Sequence, residues 1–394
     1  MGMKQAPSTG LAVTTFRRVA PYLLLLILAA VLVHYSLLSL RTFSDFAPYY
    51  RAAERFLRAE NLYNFADGHY LFKYSPLAAM LFIPFALLPY GIAKVLWLII
   101  SWLLLAFCYF KSRQLDEGSV RLPGWAIGLV LLGISKFVLA EIHLGQIDFL
   151  LLFLSLLSLL SLQKKWEFWG GVLLAVGCLI KLPLAILLLV PLWRKRAAFM
   201  GGFMAGIAMG IVVPLLRYGA SNGFQVHRGW WEVLTASSPG LLSSNVNQSI
   251  FGALARWLPA ASGFALIIGA LFMLLYVILL YWLDIRRTQH LAAPQLMLLG
   301  SVLFSPLGWV QNYVFCLPAL LTAFHLGQQE KWSNRKRILL LAPFYLTAVL
   351  LNYEFLGREI YKIYLGQSWI FIGMVFLTLA VCQPVQAVRS DGTI

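Results

Sequence analysis

Ile147-Asp148-Phe149-Leu150-Leu151-Leu152-Phe153-Leu154-Ser155-Leu156-Leu157-Ser158-Leu159-Leu160-Ser161-Leu162 is a leucine-rich run broken, beyond its second residue, only by serines. An alternating run would read as a strand; a continuous one of this length reads as a helix surrounded by apolar matter. Similar blocks recur at 20–40, 91–110, 124–141, 168–193, 198–216, 263–283, 293–307, 310–326, 338–351 and 368–384. Of the 394 residues 61% are hydrophobic and 12% charged, where soluble chains carry about 25% charged residues. Lipid gives the backbone no hydrogen-bond partner, so only helices and closed barrels cross it. The expected fold class is therefore an all-α polytopic membrane protein, one integral membrane domain over residues 1–394, with about 12 transmembrane or re-entrant helices and external juxtamembrane helices.

The net charge of +16 does not mark a nucleic-acid partner, because the basic residues cap the apolar blocks instead of gathering on one domain. Arg17–Arg18, Lys111/Arg113, Lys164–Lys165, Arg194–Lys195–Arg196, Arg286–Arg287 and Lys331 with Arg335–Lys336–Arg337 are the clusters. Placing them all in the cytoplasm leaves both termini cytoplasmic and puts three segments outside, 41–90, 217–262 and 352–367. Parity requires that 76–89, with Pro76, Pro84 and Pro89, lie in the interface and not span. It also requires 168–193, too short for two full crossings, to reverse near Lys181-Leu182-Pro183. No small-residue cleavage site follows the first block, which reads as an uncleaved helix in the cell membrane. Cys108, Cys178, Cys316 and Cys382 all lie in apolar blocks and read as packing residues.

Polar groups that could do chemistry gather at the expected outer face. Asp45 follows the first block; it reads either as a general base for an attacking hydroxyl or as the N-cap of the next helix. Tyr49, Tyr63 and Tyr74 read as interfacial anchors or as a wall against a sugar ring or prenyl chain, with Lys73 beside them able to pair with phosphate. Lys136, Glu141, His143 and Asp148 flank a turn at Gly145-Gln146-Ile147-Asp148. Lys181, inside an apolar block next to a proline, reads as an anion ligand or as a side chain that snorkels to the surface. Asn245, Asn247 and Gln248, followed by Arg256, suit sugar hydroxyls or a polar loop; Asn247-Gln248-Ser249 is also a formal glycosylation sequon. Pro306 and Gly308 break the chain before Trp309, Gln311 and Asn312 and permit a cavity there. A Gly-rich phosphate loop, a His-Glu-x-x-His pattern and a Cys-x-x-Cys pair are all missing from the sequence. No metal ligand set is assigned, although one carboxylate such as Asp45 is enough for a divalent cation.

Taken in order, Asp45, Tyr49/Tyr50 with Ala52-Ala53, Leu62-Tyr63, Tyr74-Ser75-Pro76-Leu77, Gly145-Gln146-Ile147-Asp148, Ile180-Lys181-Leu182-Pro183, Asn247-Gln248-Ser249-Ile250 with Arg256, and Phe304-Ser305-Pro306-Leu307-Gly308-Trp309 resemble the family 87 glycosyltransferases. These are GT-C-type integral membrane enzymes that use polyprenyl-phosphate sugars and are related to the mycobacterial phosphatidylinositol-mannoside mannosyltransferases. The resemblance implies an inverting transfer of a hexose, mannose foremost, from a polyprenyl-phosphate sugar to a lipid or glycan hydroxyl at the outer, periplasmic face. It implies Asp45 as general base, Lys181 at the donor phosphate, and the Asn247-Gln248-Ser249 segment and Arg256 lining the site. Together with the residues read above, the expected phosphate ligands are Lys181, Lys73 and Arg256, and Tyr49, Tyr63, Tyr74, His143, Gln146, Asn245, Asn247, Gln248, Trp309, Gln311 and Asn312 are expected along the sugar or acceptor. Many members carry a histidine where this chain has Gln311-Asn312, so no second acid/base residue is carried over. A phosphate leaves as an anion without a general acid, so one base and a cationic clamp form a sufficient minimum. The competing class is a transporter or lipid flippase, for which paired repeats and midplane charges would be expected; the sequence shows no clear repeat.

Overall fold

The computed structural model describes residues 29–115, 121–237, 239–285 and 292–383. The expected start of the first helix near residue 20, the clusters Arg17–Arg18 and Arg286–Arg287, and both chain ends lie outside these residues. Every regular segment described is helical; the one β-bridge joins Asn247 to Trp309.

Helix α1 (29–42) leads into α2 (Phe46–Arg58), which buries Phe46, Tyr49, Ala52, Ala53 and Phe56 on one stripe. Two short helices follow, α3 (Pro76–Leu81) and α4 (Ile83–Ala86), each with proline in its first turn. At about 1.5 Å per residue neither can cross a bilayer, as expected for 76–89. Then come α5 (Tyr90–Leu115), α6 (Gly124–Leu144), α7 (Asp148–Ser161) and α8 (Glu167–Ile180). The chain breaks at Lys181, whose extended backbone ends α8, and continues as a 3-10 segment (Leu182–Leu188) packed back on α8, then α9 (Leu189–Trp193) and α10 (Ala197–Tyr218).

The segment 217–262, expected as a loop, is largely helical, with α11 (Ala220–Ser237) and α12 (Ile250–Trp257). After α13 (Ser262–Ile285), α14 (Ala292–Leu303) is buried along its whole length. A 3-10 segment (Val310–Cys316) joins it to α15 (Leu317–Gln329), followed by α16 (Asn334–Tyr345), α17 (Tyr353–Gly366) and α18 (Trp369–Val381). The expected loop 352–367 is thus helix α17.

Four helices are long and apolar enough to cross a membrane, α5, α6, α10 and α13, and a fifth if the pair Asn334–Leu350 and Phe355–Gly366, bent by 118°, counts as one span. The expected dozen does not follow from length, because α7, α8, α14 and α18 have only 12–14 residues. At 1.5 Å per residue such helices reach about 20 Å, short of a hydrocarbon core of roughly 30 Å. The chain is nonetheless a multi-pass α-helical membrane protein. Its spans are apolar outside: α5 exposes Ile92, Val95, Ile99, Leu103, Phe107 and Phe110 and turns Ala93, Ser101, Cys108 and Ser112 inward. Lys136, buried in α6, donates to the carbonyls of Thr347 and Leu351 and to the Tyr364 hydroxyl and sits over the Tyr361 and Tyr364 rings; it braces the bend before α17. At the other end of the bundle Asp284 of α13 accepts from Trp193 Nε1 at 2.7 Å and from the Arg194 guanidinium.

Helices α8 and α10 pack with their backbones close together along Gly171, Gly202, Gly206 and Gly210. A Cβ at Gly202 would fall on the Phe168 carbonyl, and one at Gly171 on that of Phe199. Backbones meet here because apolar surface gains nothing by leaving lipid, so packing must supply the attraction. Gly201, one residue away, has nothing within 4 Å of such a Cβ. Gly202→Leu is expected to lower the unfolding temperature of the detergent-purified protein or abolish its folded yield, and Gly201→Leu to leave both near wild type. Equal behaviour of the two variants would contradict this packing.

Candidate active site

The site is organised by the turn Gly145–Ile147 between α6 and α7 together with Asp148, the first residue of α7. Gly145 ends α6 at φ +69°, and a Cβ there would strike the Phe43 ring; glycine meets both demands. Glu141, one turn earlier, reaches past the reversal. Its Oε1 accepts from the backbone N–H of Asp148 at 2.6 Å and of Phe149 at 3.3 Å, so a buried carboxylate caps α7.

The two polar residues of the turn point to different partners. Gln146 Nε2 donates to Asp45 Oδ2, and its Oε1 accepts from the Tyr49 hydroxyl at 3.1 Å. The Tyr49 and Tyr74 hydroxyls lie 3.1 Å apart. Asp148 accepts from Lys181 Nζ at 2.7 Å on one oxygen and from Asn312 Nδ2 at 2.6 Å on the other. Asp45 receives a second bond from Ser44 Oγ at 3.1 Å, and its backbone N–H donates to Leu144 at 2.9 Å. It occupies the N-cap position of α2 but its side chain makes no capping bond; the carboxylate is turned to Gln146 instead.

A cavity of about 840 Å³ opens beside this turn. Lys73, Tyr74, Gln146, Lys181, Trp309 and Asn312 form its polar end. Its apolar flank comes from Ile186 and Leu189 on one side and Met273, Leu274 and Val277 of α13 on the other, with Trp230 and Trp231 of α11 over it. Asp45 is not part of the wall; it stands behind Gln146. Burial lowers Lys73 from the ordinary lysine range, with the charge of Asp45 opposing that effect. Burial raises the Tyr49 and Tyr74 hydroxyls, so both act as neutral phenols in this network.

The structure brings together Asp45, Tyr49, Lys73, Tyr74, Gln146, Lys181, Trp309 and Asn312, with Tyr49 one hydrogen bond behind the wall. Other expected site residues lie elsewhere. Tyr63 is buried, donating to the Tyr74 carbonyl at 2.8 Å. His143 is exposed beside the Tyr35 ring, and Gln311 and Asn245 do not reach the cavity. Asn247 is fully buried, bonded to Leu242, Pro306, Ser249 and Gly308, so the sequon is inaccessible in the fold. Gln248 bonds the carbonyls of Asn245 and Leu365. Arg256 spends its guanidinium on Ser244, Gly366 and Ser368 at 2.5–3.0 Å. These side chains brace the loop that carries Trp309 and do not line the cavity; their donor groups are taken up chiefly by backbone carbonyls. Sequence reasoning missed Trp230 and Trp231, which lay in a segment expected to be a loop, and the cavity face of α13, whose apolar residues resemble any lipid-facing ones. Among the described residues no three His, Cys, Asp or Glu side chains gather as metal ligands.

A profile of the family described as glycosyltransferase family 87 matches residues 72–310, more than half of the chain. The chain belongs to glycosyltransferase family 87. The matched span includes Lys73, Gln146, Lys181 and Trp309; Asp45 lies before it. This family 87 chain is 27% identical over 261 residues to a polyprenol-phosphate-mannose-dependent α-(1-2)-phosphatidylinositol pentamannoside mannosyltransferase of Mycobacterium tuberculosis, covering 64% of the chain and 57% of that relative. A polyprenol-phosphate-mannose-dependent α-(1-2)-phosphatidylinositol mannoside mannosyltransferase of the same species is 29% identical, covering 67% and 63%. An α-(1→3)-arabinofuranosyltransferase, also of that species, is 28% identical over 39% of the chain and 38% of its own length. The chain thus spans less than two thirds of the length of the first two. No solved structure matches it.

Arg256→Met removes three bonds from a half-buried loop anchor. It is expected to cost about 1–3 kcal/mol of stability, seen as a lower unfolding temperature in detergent, while donor KM stays within about twofold. A KM rise without loss of stability would return Arg256 to the ligand site.

Proposed function

We propose that this chain is an inverting glycosyltransferase of GT-C type that takes a hexose, mannose foremost, from a polyprenyl-phosphate sugar and passes it to a lipid or glycan hydroxyl at the outer membrane face. The observation that carries this reading is one cavity with two ammonium groups and aromatic rings at its polar end, a carboxylate one hydrogen bond away, and an apolar flank leading into the bilayer. The names of the relatives support the same donor class.

In the proposed reaction the acceptor oxygen attacks the anomeric carbon while the bond from that carbon to the phosphate oxygen breaks. The hydroxyl proton passes to Asp45, and the bonding pair leaves with polyprenyl phosphate. A single displacement inverts the anomeric centre. Lys73 and Lys181 neutralise charge growing on the phosphate. Gln146 holds one oxygen of Asp45 in place. Its other oxygen accepts from the Ser44 hydroxyl, and on this reading the half-buried carboxylate is offered to the acceptor from outside the donor cavity. Trp309, Trp230 and Trp231 give the donor flat apolar faces.

The outer-face assignment rests on connectivity. Helix α10, long and apolar enough to cross, separates Arg194–Lys195–Arg196 from α11, whose Trp230 and Trp231 line the cavity. Basic clusters favour the cytoplasm, so the polar end of the cavity falls on the far side.

Asp45→Asn keeps the shape and removes the base. Sugar transfer is expected to fall by about 10²–10⁴-fold with unfolding temperature and donor binding retained; transfer at the wild-type rate would rule out the base assignment. Lys73 supplies the pH test. Its pKa lies below the ordinary 10.5 because it is buried, so its ammonium is lost, as pH rises, sooner than that of a solvated lysine. The value of kcat/KM for the donor is expected to decline on that alkaline limb and to stay flat in Lys73→Arg. An alkaline limb that persists in the arginine variant would assign it to another group.

A further inference from the structure

Asp148 has no part in the reaction just described, yet both of its carboxylate oxygens are engaged beside the cavity. It is 1% exposed and does not line the cavity. Both groups bonded to its carboxylate do: Lys181 Nζ at 2.7 Å and Asn312 Nδ2 at 2.6 Å. Lys181 caps the start of the Leu182–Leu188 segment and Asn312 lies in the Val310–Cys316 segment, so this single carboxylate ties two separate breaks of the chain to one wall. Its own backbone is fixed by Glu141, in the turn that aims Gln146 at Asp45.

We propose that Asp148 is a positioning residue that sets where the Lys181 ammonium and the Asn312 amide meet the donor phosphate and how far they stand from Asp45. The inference rests on the reading of Lys181 as a phosphate ligand. An ammonium has three donors; one goes to Asp148 and two remain for the cavity. Without a carboxylate behind it, a lysine at this depth turns toward water or headgroups. The arrangement also needs both carboxylate oxygens as acceptors. An asparagine in this place has one acceptor oxygen, and its NH₂ would face a second donor. Asn312 cannot flip to relieve that clash, because its Oδ1 accepts from Trp309 N–H at 2.9 Å. Asp148→Asn therefore has to release one of the two cavity groups.

The test is a double-mutant cycle on the full-length protein in detergent, read by binding of undecaprenyl monophosphate and by KM and kcat for the polyprenyl-phosphate sugar. Asp148→Asn is expected to weaken binding of the monophosphate about tenfold. Lys181→Gln, whose amide still donates to Asp148, should weaken it at least as much. The double variant should bind no worse than Lys181→Gln alone, and donor KM should move more than kcat. Wild-type or tighter binding by Asp148→Asn, or losses that multiply in the double variant, would overturn the positioning role. Unchanged binding by Lys181→Gln would instead sink the phosphate reading, and this inference with it. Should Asp148→Asn fail to fold, Asp148→Glu keeps the charge but displaces the ammonium by about one methylene; unchanged affinity in that variant would likewise overturn the proposal.

Discussion

A carboxyl group buried in a membrane protein needs donors, and one oxygen of Glu141 takes the first peptide N–H groups of α7. That closure holds the Gly145–Asp148 turn in shape. From it Gln146 faces one way and Asp148 the other, so Asp45 on one side and Lys181 with Asn312 on the other are held by one short piece of backbone. The breaks at Lys181 and Pro306, which would be defects in a plain helical bundle, are tolerated because side chains and a cavity take up the polar groups they release.

Division of labour among the polar residues is sharp. Asn247, Gln248 and Arg256 look like ligand-binding groups by type, but their N–H donors go chiefly to backbone carbonyls. They hold the 245–250 segment against Gly308 and so set the height of Trp309. Lys73 and Lys181 look alike in sequence but differ in setting. Lys181 has its counter-charge within 3 Å, whereas Lys73 forms no ion pair among the described residues. On the proposed reading, Lys73 meets the incoming phosphate with its charge undivided.

Much of this was legible in the residues. Continuous apolar runs marked the helices, Pro183 next to Lys181 marked the break in 168–193, and three prolines kept 76–89 from spanning. Asp45 and Lys73 stood out in the first external segment, Gln146 in the turn between two apolar blocks and Lys181 as a charge inside one, and the fold gathers all four. The failures have one cause. Periodicity cannot say whether an amide will meet a ligand or a carbonyl, since both satisfy it, so Asn247 and Arg256 were misplaced. Nor does composition separate a leucine or methionine that faces lipid from one that faces a cavity, so Met273 and Leu274 went unnoticed. Segments rich in polar residues read as loops even where, as in α11 and α17, they wind into helices with tryptophan or tyrosine along them.

Helix α13 is the outermost wall of the cavity, tied at its lower end through Asp284 to Trp193 and Arg194 and with only about a fifth of its span buried. On the proposed reading this changes how the enzyme meets its donor. A long isoprenoid arrives sideways, within the sheet of lipid, and never passes through bulk water. Encounter is then a search in two dimensions, and the relevant abundance of donor is its number per unit area of membrane, not its molarity.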